Sequence, residues 1–224
     1  MANTVSWPTD KWRPMAKPRF AVQPVNIMSQ SPYTGAPLAI ALAQAWQVEL
    51  AWNNTSLSDA FEMQAFLEGL DGNATRVKLF DHWRPVPRLL APAEGQTWSD
   101  STFWSDGTGW ADMSIIPLAL YDYDRGAQIM VVQGLPLSQD ILLPGDLFQI
   151  GEGLHVVTRK VRGDAYGRAS VHFKPGLRAA VAAGDELRLY MPRGVFRMTS
   201  SPVAIAMAIT NAEPFTLTFT EDVP

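Results

Sequence analysis

The stretch from Leu143 to Pro192 opens and closes with the same device. Pro144-Gly145-Asp146 runs into Leu147-Phe148-Gln149-Ile150, and Gly184-Asp185 runs into Glu186-Leu187-Arg188-Leu189-Tyr190. Glycine and aspartate supply the backbone freedom and local hydrogen bonds of a tight turn, and period-two alternation behind them marks a half-buried strand. Punctuation of this kind restricts the stretch to a compact β-barrel or sandwich module. The module contains no catalytic cluster, which points to assembly or binding rather than chemistry.

With 224 residues, 47% of them hydrophobic, the chain has room for one large or two small domains and an ample core. A net charge of -4 and a pI near 5.3 leave no basic footprint for phosphates, so no direct nucleic-acid binding is expected. The absence of cysteine excludes disulfides, thiolate zinc sites and cysteine nucleophiles. Met1 to Phe20 lacks the apolar core of a secretory signal, so no export by that route is expected. The most apolar run, Pro37 to Ala45, is too short to span a bilayer; Leu38, Ile40 and Leu42 alternate with Ala39, Ala41 and Ala43, a strand with a small-residue face.

Most of the chain reads as strand. Trp46, Val48, Leu50 and Trp52 share one face of a segment whose other face carries Gln47, Glu49 and Ala51, and Phe215 to Thr220 alternates with threonine. Arg76 to Phe80 is a further strand. Between them the period changes. Asp59 reads as an N-cap with Glu62 as its capping-box partner, Met63, Phe66, Leu67 and Leu70 form a helical stripe, and Gly72 can end it, which predicts a helix over 59–71. The prolines at 85, 87 and 92 mark a linker or a sheet edge.

A six-residue repeat follows. Trp98-Ser99-Asp100-Ser101-Thr102-Phe103 is echoed from Trp104, and Trp110 opens a third copy. Six is even, so an extended backbone directs Trp98, Trp104 and Trp110 to one side. With Phe103 they are candidates for a hairpin core turned at Asp106-Gly107, for a subunit interface, or for stacking on sugar rings.

Catalytic signals are sparse. His82, His155 and His172 are scattered without metal-ligand spacing, and there is no nucleophile elbow, phosphate-binding loop or dinucleotide fingerprint. No catalytic residue, metal site or cofactor is therefore assigned. A glycosidase-type carboxylate pair depends on a spacing that only a structure reports. Arg162-Gly163-Asp164, which matches an adhesion tripeptide, falls between two strand-like segments and reads as a hairpin turn.

The order of these motifs resembles a known family. Leu143-Pro144-Gly145-Asp146, the turn Asp164 to Ala169, Lys174-Pro175-Gly176-Leu177-Arg178-Ala179-Ala180, Gly184-Asp185 and Met191 to Met198 follow one another as in the distal tail proteins of long-tailed, non-contractile bacteriophages. In the front half, Ser31-Pro32-Tyr33-Thr34-Gly35, the Trp46 strand and Ala60 to Leu70 match that family's order of turn, strand and helix. The likeness spans nearly the whole chain, and its evidence is the order rather than any one motif. The tryptophan repeat has no counterpart in it.

The resemblance implies a mainly β fold: a tail-tube-like β-sandwich or split barrel with one flanking helix, plus a second small β-barrel module. Residues 1–24 are then an N-terminal arm, 25–126 and 191–224 the core, and 127–190 the inserted module. It further implies a non-enzymatic structural protein of the virion, assembled in the host cytoplasm and placed at the tail tip. There it forms a homo-oligomeric ring, a hexamer in that family, between the tail tube protein and the tip or baseplate hub protein. The arm, through Trp7 and Trp12, is expected to reach a neighbouring subunit. The alternative is a carbohydrate-binding module that contacts host surface glycans through Trp98, Trp104 and Trp110. A cell-wall hydrolase is a third reading that no spacing supports.

Overall fold

The computed structural model describes residues 3–8, 12, 19–30, 37–53, 55–71, 73–90, 115–200, 205 and 212–222, with 24–30 and 37–43 as backbone alone. In chain order the elements are β1 (Thr4–Ser6), β2 (Arg19–Gln30), β3 (Pro37–Trp52), α1 (Leu57–Glu68) and β4 (Arg76–Phe80). Then come β5 (Leu118–Ala119), β6 (Ile129–Gln133), β7 (Asp140–Leu142), β8 (Leu147–Ile150), β9 (Gly153–Val157), β10 (Val161–Arg162) and β11 (Arg168–Lys174). Last are β12 (Arg193–Met198) and β13 (Phe215–Glu221). The chain is mainly β, with one helix among the described residues and several sheets, one curled into a half-barrel.

Two compact units divide it at Trp83/Arg84 and at Pro192/Arg193. In the first, six strands lie in the order β1-β4-β12-β13-β3-β2, with β1 parallel to β4 and the other pairs antiparallel. Alternation dictates which side chains turn inward. Trp46, Val48, Leu50 and Trp52 of β3 are buried, as are Phe215, Leu217 and Phe219 of β13. Helix α1 buries Met63 and Leu67, with Leu70 just beyond it. Its cap is Ser56 rather than the expected Asp59. The Ser56 hydroxyl accepts the Asp59 N–H and donates to the Asp59 carboxylate at 2.6 Å, so the helix starts earlier than the stripe alone indicated and stops at Gly69.

Asp222 ties three strands of this sheet together. Its oxygens lie 2.7 Å from Arg76 Nε of β4 and 2.8 Å from Arg197 Nε of β12, just past the end of β13. Hydrogen bonding and charge from Arg197, then charge and hydrogen bonding from Arg76, hold its carboxyl below the ordinary carboxylate value against the opposing effect of burial. A group held lower in the fold than in the free chain stabilises above its free-chain value and loses that contribution as pH falls through its native value. Asp222→Asn is expected to lower stability by about 1 kcal/mol at pH 7. The difference from wild type in denaturant unfolding should vanish in acid.

The second unit is the barrel. Its five-stranded sheet runs β5-β6-β11-β9-β8, and the two outer strands are bridged by one segment: Leu118 pairs with Glu186 and Gln149 with Arg188. The Gln149–Arg188 bridge has both N–H···O=C bonds, at 2.9 and 2.8 Å. The edges are thereby joined around a core that includes Met130, Phe148, Phe173, Leu187 and Leu189.

Both Gly-Asp turns serve this seam and have the same construction. In Leu143-Pro144-Gly145-Asp146 the Asp146 N–H donates to the Leu143 carbonyl, and the Asp146 carboxylate accepts the Leu143 N–H at 2.7 Å. In Ala182-Ala183-Gly184-Asp185 the Asp185 N–H donates to the Ala182 carbonyl, and its carboxylate accepts the Ala182 N–H at 2.9 Å. The third position is left-handed in both, φ 97° at Gly145 and 93° at Gly184, as a type II turn demands. The first turn delivers β8, and the second delivers the segment expected to be a strand, which makes only isolated bridges, Glu186 to β5 and Arg188 to β8.

The expected domain limits are corrected by this architecture. Strand β5 and the 84–90 segment belong to the barrel unit, which therefore begins before residue 127. The proline-rich passage is no free linker there: Arg84 donates to the Gly145 carbonyl, and Arg88 pairs with Asp146 at 3.0 Å. The 1–24 arm likewise dissolves into the core, since it contributes β1 and the start of β2.

Candidate assembly surface

Strand β13 pairs with β3 only over Gln47–Trp52, whereas β2 follows β3 from Glu49 to Pro37. The far part of this hairpin, Val25–Gln30 against Pro37–Ala43, is a two-stranded ribbon that continues past the sheet for about 23 Å at the usual strand rise. Among the described residues no strand pairs with the outer side of β2, or with the other side of β3 over Pro37–Ala43. Edge strands in soluble proteins are ordinarily blunted by charge, proline or bulges. This hairpin has a register shift at Val25/Asn26 and Pro24 on its edge strand, but the sequence holds no Asp, Glu, Lys or Arg between Arg19 and Glu49.

The sequence reading found half of this element. Pro37 to Ala45 and Trp46 to Trp52 each alternate as separate strand segments, and Pro24 breaks the pattern of β2. The length of the uncharged run was the signal that joins them.

Trp7 and Trp12, expected to contact a neighbouring subunit, lie in the core of their own chain, 3% and 6% exposed. The Trp7 ring packs 5.4 Å from Phe66 of α1, 5.6 Å from Trp52 and 6.0 Å from Phe219, and Trp12 packs 5.5 Å from Phe66. This cluster joins helix to sheet. The reason for the correction is hydrophobic: two indoles next to a sheet of aromatic side chains bury more surface there than they could at the end of an arm. Trp98, Phe103, Trp104 and Trp110 lie outside the described residues.

The histidines are separated. His82 packs its ring 4.2 Å from Phe80, and His172 is half-buried opposite Ile129 on the barrel wall. His155 is fully buried between Phe148 and Phe173, with ring centroids 5.2 and 5.1 Å away. Its Nδ1 is 2.8 Å from the Pro175 carbonyl, which can only accept, so Nδ1 carries the proton. Nε2 has no hydrogen-bond partner and faces Gly153, where a Cβ would stand 2.7 Å away. Burial pushes the imidazole down to about 4, against an upward pull from the Pro175 carbonyl and with a smaller push down from Arg178. This is a neutral core ring. Among the described residues no group of three or more His, Asp or Glu is placed to hold a metal ion.

Arg162-Gly163-Asp164 sits in the turn from β10 to β11. The Asp164 carboxylate accepts the Arg168 N–H at 2.8 Å and the Tyr166 N–H at 2.7 Å, and these two bonds hold it below the ordinary carboxylate value. The tripeptide is used by its own turn. Among the described residues no helix is long and apolar enough to cross a membrane.

No protein-family model matches the sequence, and no curated protein matches it.

Proposed function

We propose that the chain is a structural part of a phage tail tip, which assembles into a ring between the tail tube and the tip or baseplate hub. The observation that supports this reading is the β2–β3 ribbon. A two-stranded ribbon is marginal alone in water, and one that is uncharged and, among the described residues, unpaired on both sides is suited to receive a further strand. A second copy of the chain supplies that strand. The two edges of the six-stranded sheet, β1 and β2, differ, and pairing of one edge with the other edge of the next copy is head-to-tail and closes into a ring when the rotation permits. The order of sequence motifs, from the turn at Ser31 to the Gly-Asp turns, supports the tail-tip placement of such a ring.

The test is to replace residues 24–44 by Asn-Gly, so that the paired residues Gln23 and Ala45 flank a two-residue hairpin turn. The expected result is a ring of about six copies for the intact chain, by light scattering and negative-stain imaging, and a folded monomer for the shortened one. An intact chain that stays monomeric at tens of micromolar would overturn the reading.

A further inference from the structure

The β2–β3 hairpin changes its apolar face part-way along. Residues directly opposite each other in an antiparallel pair share a face, and successive residues alternate. Within the sheet, Phe20 and Val22 of β2 stand opposite Val48 and Trp46 of β3. They belong to the inner face, which carries the buried Leu50 and Trp52 and receives α1 through the Trp7 cluster. The outer face there meets solvent: Arg19, Ala21, Gln23 and Gln47 are exposed, and Arg19 lies 3.9 Å from Glu49.

At the ribbon the phase shifts in both strands. In β2 the larger apolar residues move from even to odd positions, from Phe20 and Val22 to Val25 and Ile27. Strand β3 keeps its apolar residues at even positions, Leu38 and Ile40 like Trp46 and Val48, but its register slips by one. Val25 is opposite Ala43 and Asn26 opposite Ala41, so Leu42 is the additional residue of a β-bulge. Beyond it Ile27 pairs with Ile40 and Ser29 with Leu38, and these positions fall with Val25 on the outer face. Asn26, Met28 and Gln30 fall on the inner face, opposite Ala41, Ala39 and Pro37. A one-residue slip inverts every later position of a strand, so the altered phase of β2 and the slip in β3 agree only together. Two separate features of the sequence thus specify an apolar outer face, on the side of the sheet away from α1.

We propose that the outer face of the ribbon is the seat of a second copy of this chain, an inference that rests on the ring. The open edges comprise Val25–Gln30 of β2 and Pro37–Ala43 of β3, well short of the roughly 20–30 residues a side that a stable interface engages. The outer face adjoins both edges and is free of charged residues. A neighbour that pairs with a ribbon edge therefore also covers this face, approaching from the side opposite α1.

The test compares the intact chain with two double variants, each altering one cross-strand pair. Ile27→Ser with Ile40→Ser alters the outer face, and Met28→Ser with Ala39→Ser alters the inner face at the adjoining pair. Light scattering over a dilution series gives the concentration at which the ring forms. The outer double should raise it about tenfold or more, and the inner double by less than about twofold. Melting temperatures of the dilute monomers should match that of the intact chain, because a face covered by another copy is open in the monomer. A ring affected equally by both doubles, or by neither, would overturn the inference and leave the ring standing. So would an outer double whose monomer melts lower, since its own chain would then cover the face. An intact chain that forms no ring would overturn the ring itself, and this inference with it.

Discussion

Lowering the pH from 7 to 4 is expected to cost the barrel about 3 kcal/mol through His155 alone. The native ring titrates near 4 and the free side chain near 6.5, so between these values the unfolded chain binds the additional proton. Stability is complete above 6.5 and is lost as the pH falls through that window. The structural cause is specific. Protonation would place an N–H on Nε2, which faces the backbone of Gly153 with no acceptor, between two aromatic rings. His155→Gln keeps a donor for the Pro175 carbonyl but cannot titrate. Opening free energies from hydrogen exchange of barrel amides, compared at pH 7 and 4, should show a drop in wild type that exceeds the variant's by about 3 kcal/mol. An equal drop in both would remove His155 as the cause.

The paired turns allow a second, internally controlled expectation. Asp146 and Asp185 make the same bond to the first residue of their turns, yet Asp146 is 3% exposed and Asp185 is open to solvent. Asp146 also receives the side chain and backbone N–H of Arg88. Asp146→Ala leaves the Leu143 N–H without its acceptor at a buried position, whereas the exposed Arg88 guanidinium keeps the Pro144 carbonyl and water, and the change should cost about 2 kcal/mol. Asp185→Ala loses a hydrogen bond that water replaces, and should cost about 1 kcal/mol. Denaturant unfolding of the two variants measures the difference. Equal costs would mean that burial is not what separates the two turns.

How far the sequence exposed this architecture depends on how local each determinant is. The Trp46 and Phe215 strands, the helix stripe and both Gly-Asp turns are written in neighbouring residues, and alternation alone identifies their buried faces. Helix α1 was misplaced at its start because Ser56 and Asp59 are both competent caps, and only the backbone decides between them. The seam was out of reach, since nothing near Gln149 announces that Arg188 lies across from it. The position of Trp7 was equally hidden: a tryptophan among prolines reads as an arm until Phe66, Trp52 and Phe219 are found around it.

The place of β13 in the sheet has a consequence for the newborn chain. It lies between β12 and β3, the latter made well over a hundred residues earlier, whereas every strand of the barrel is made before β13 emerges. On the ribosome the barrel is able to close first, because domains fold as units while synthesis continues. Through that interval Trp46, Val48, Leu50 and Trp52 wait without their partner strand, so the interval before β13 arrives is when the chain is most exposed to aggregation.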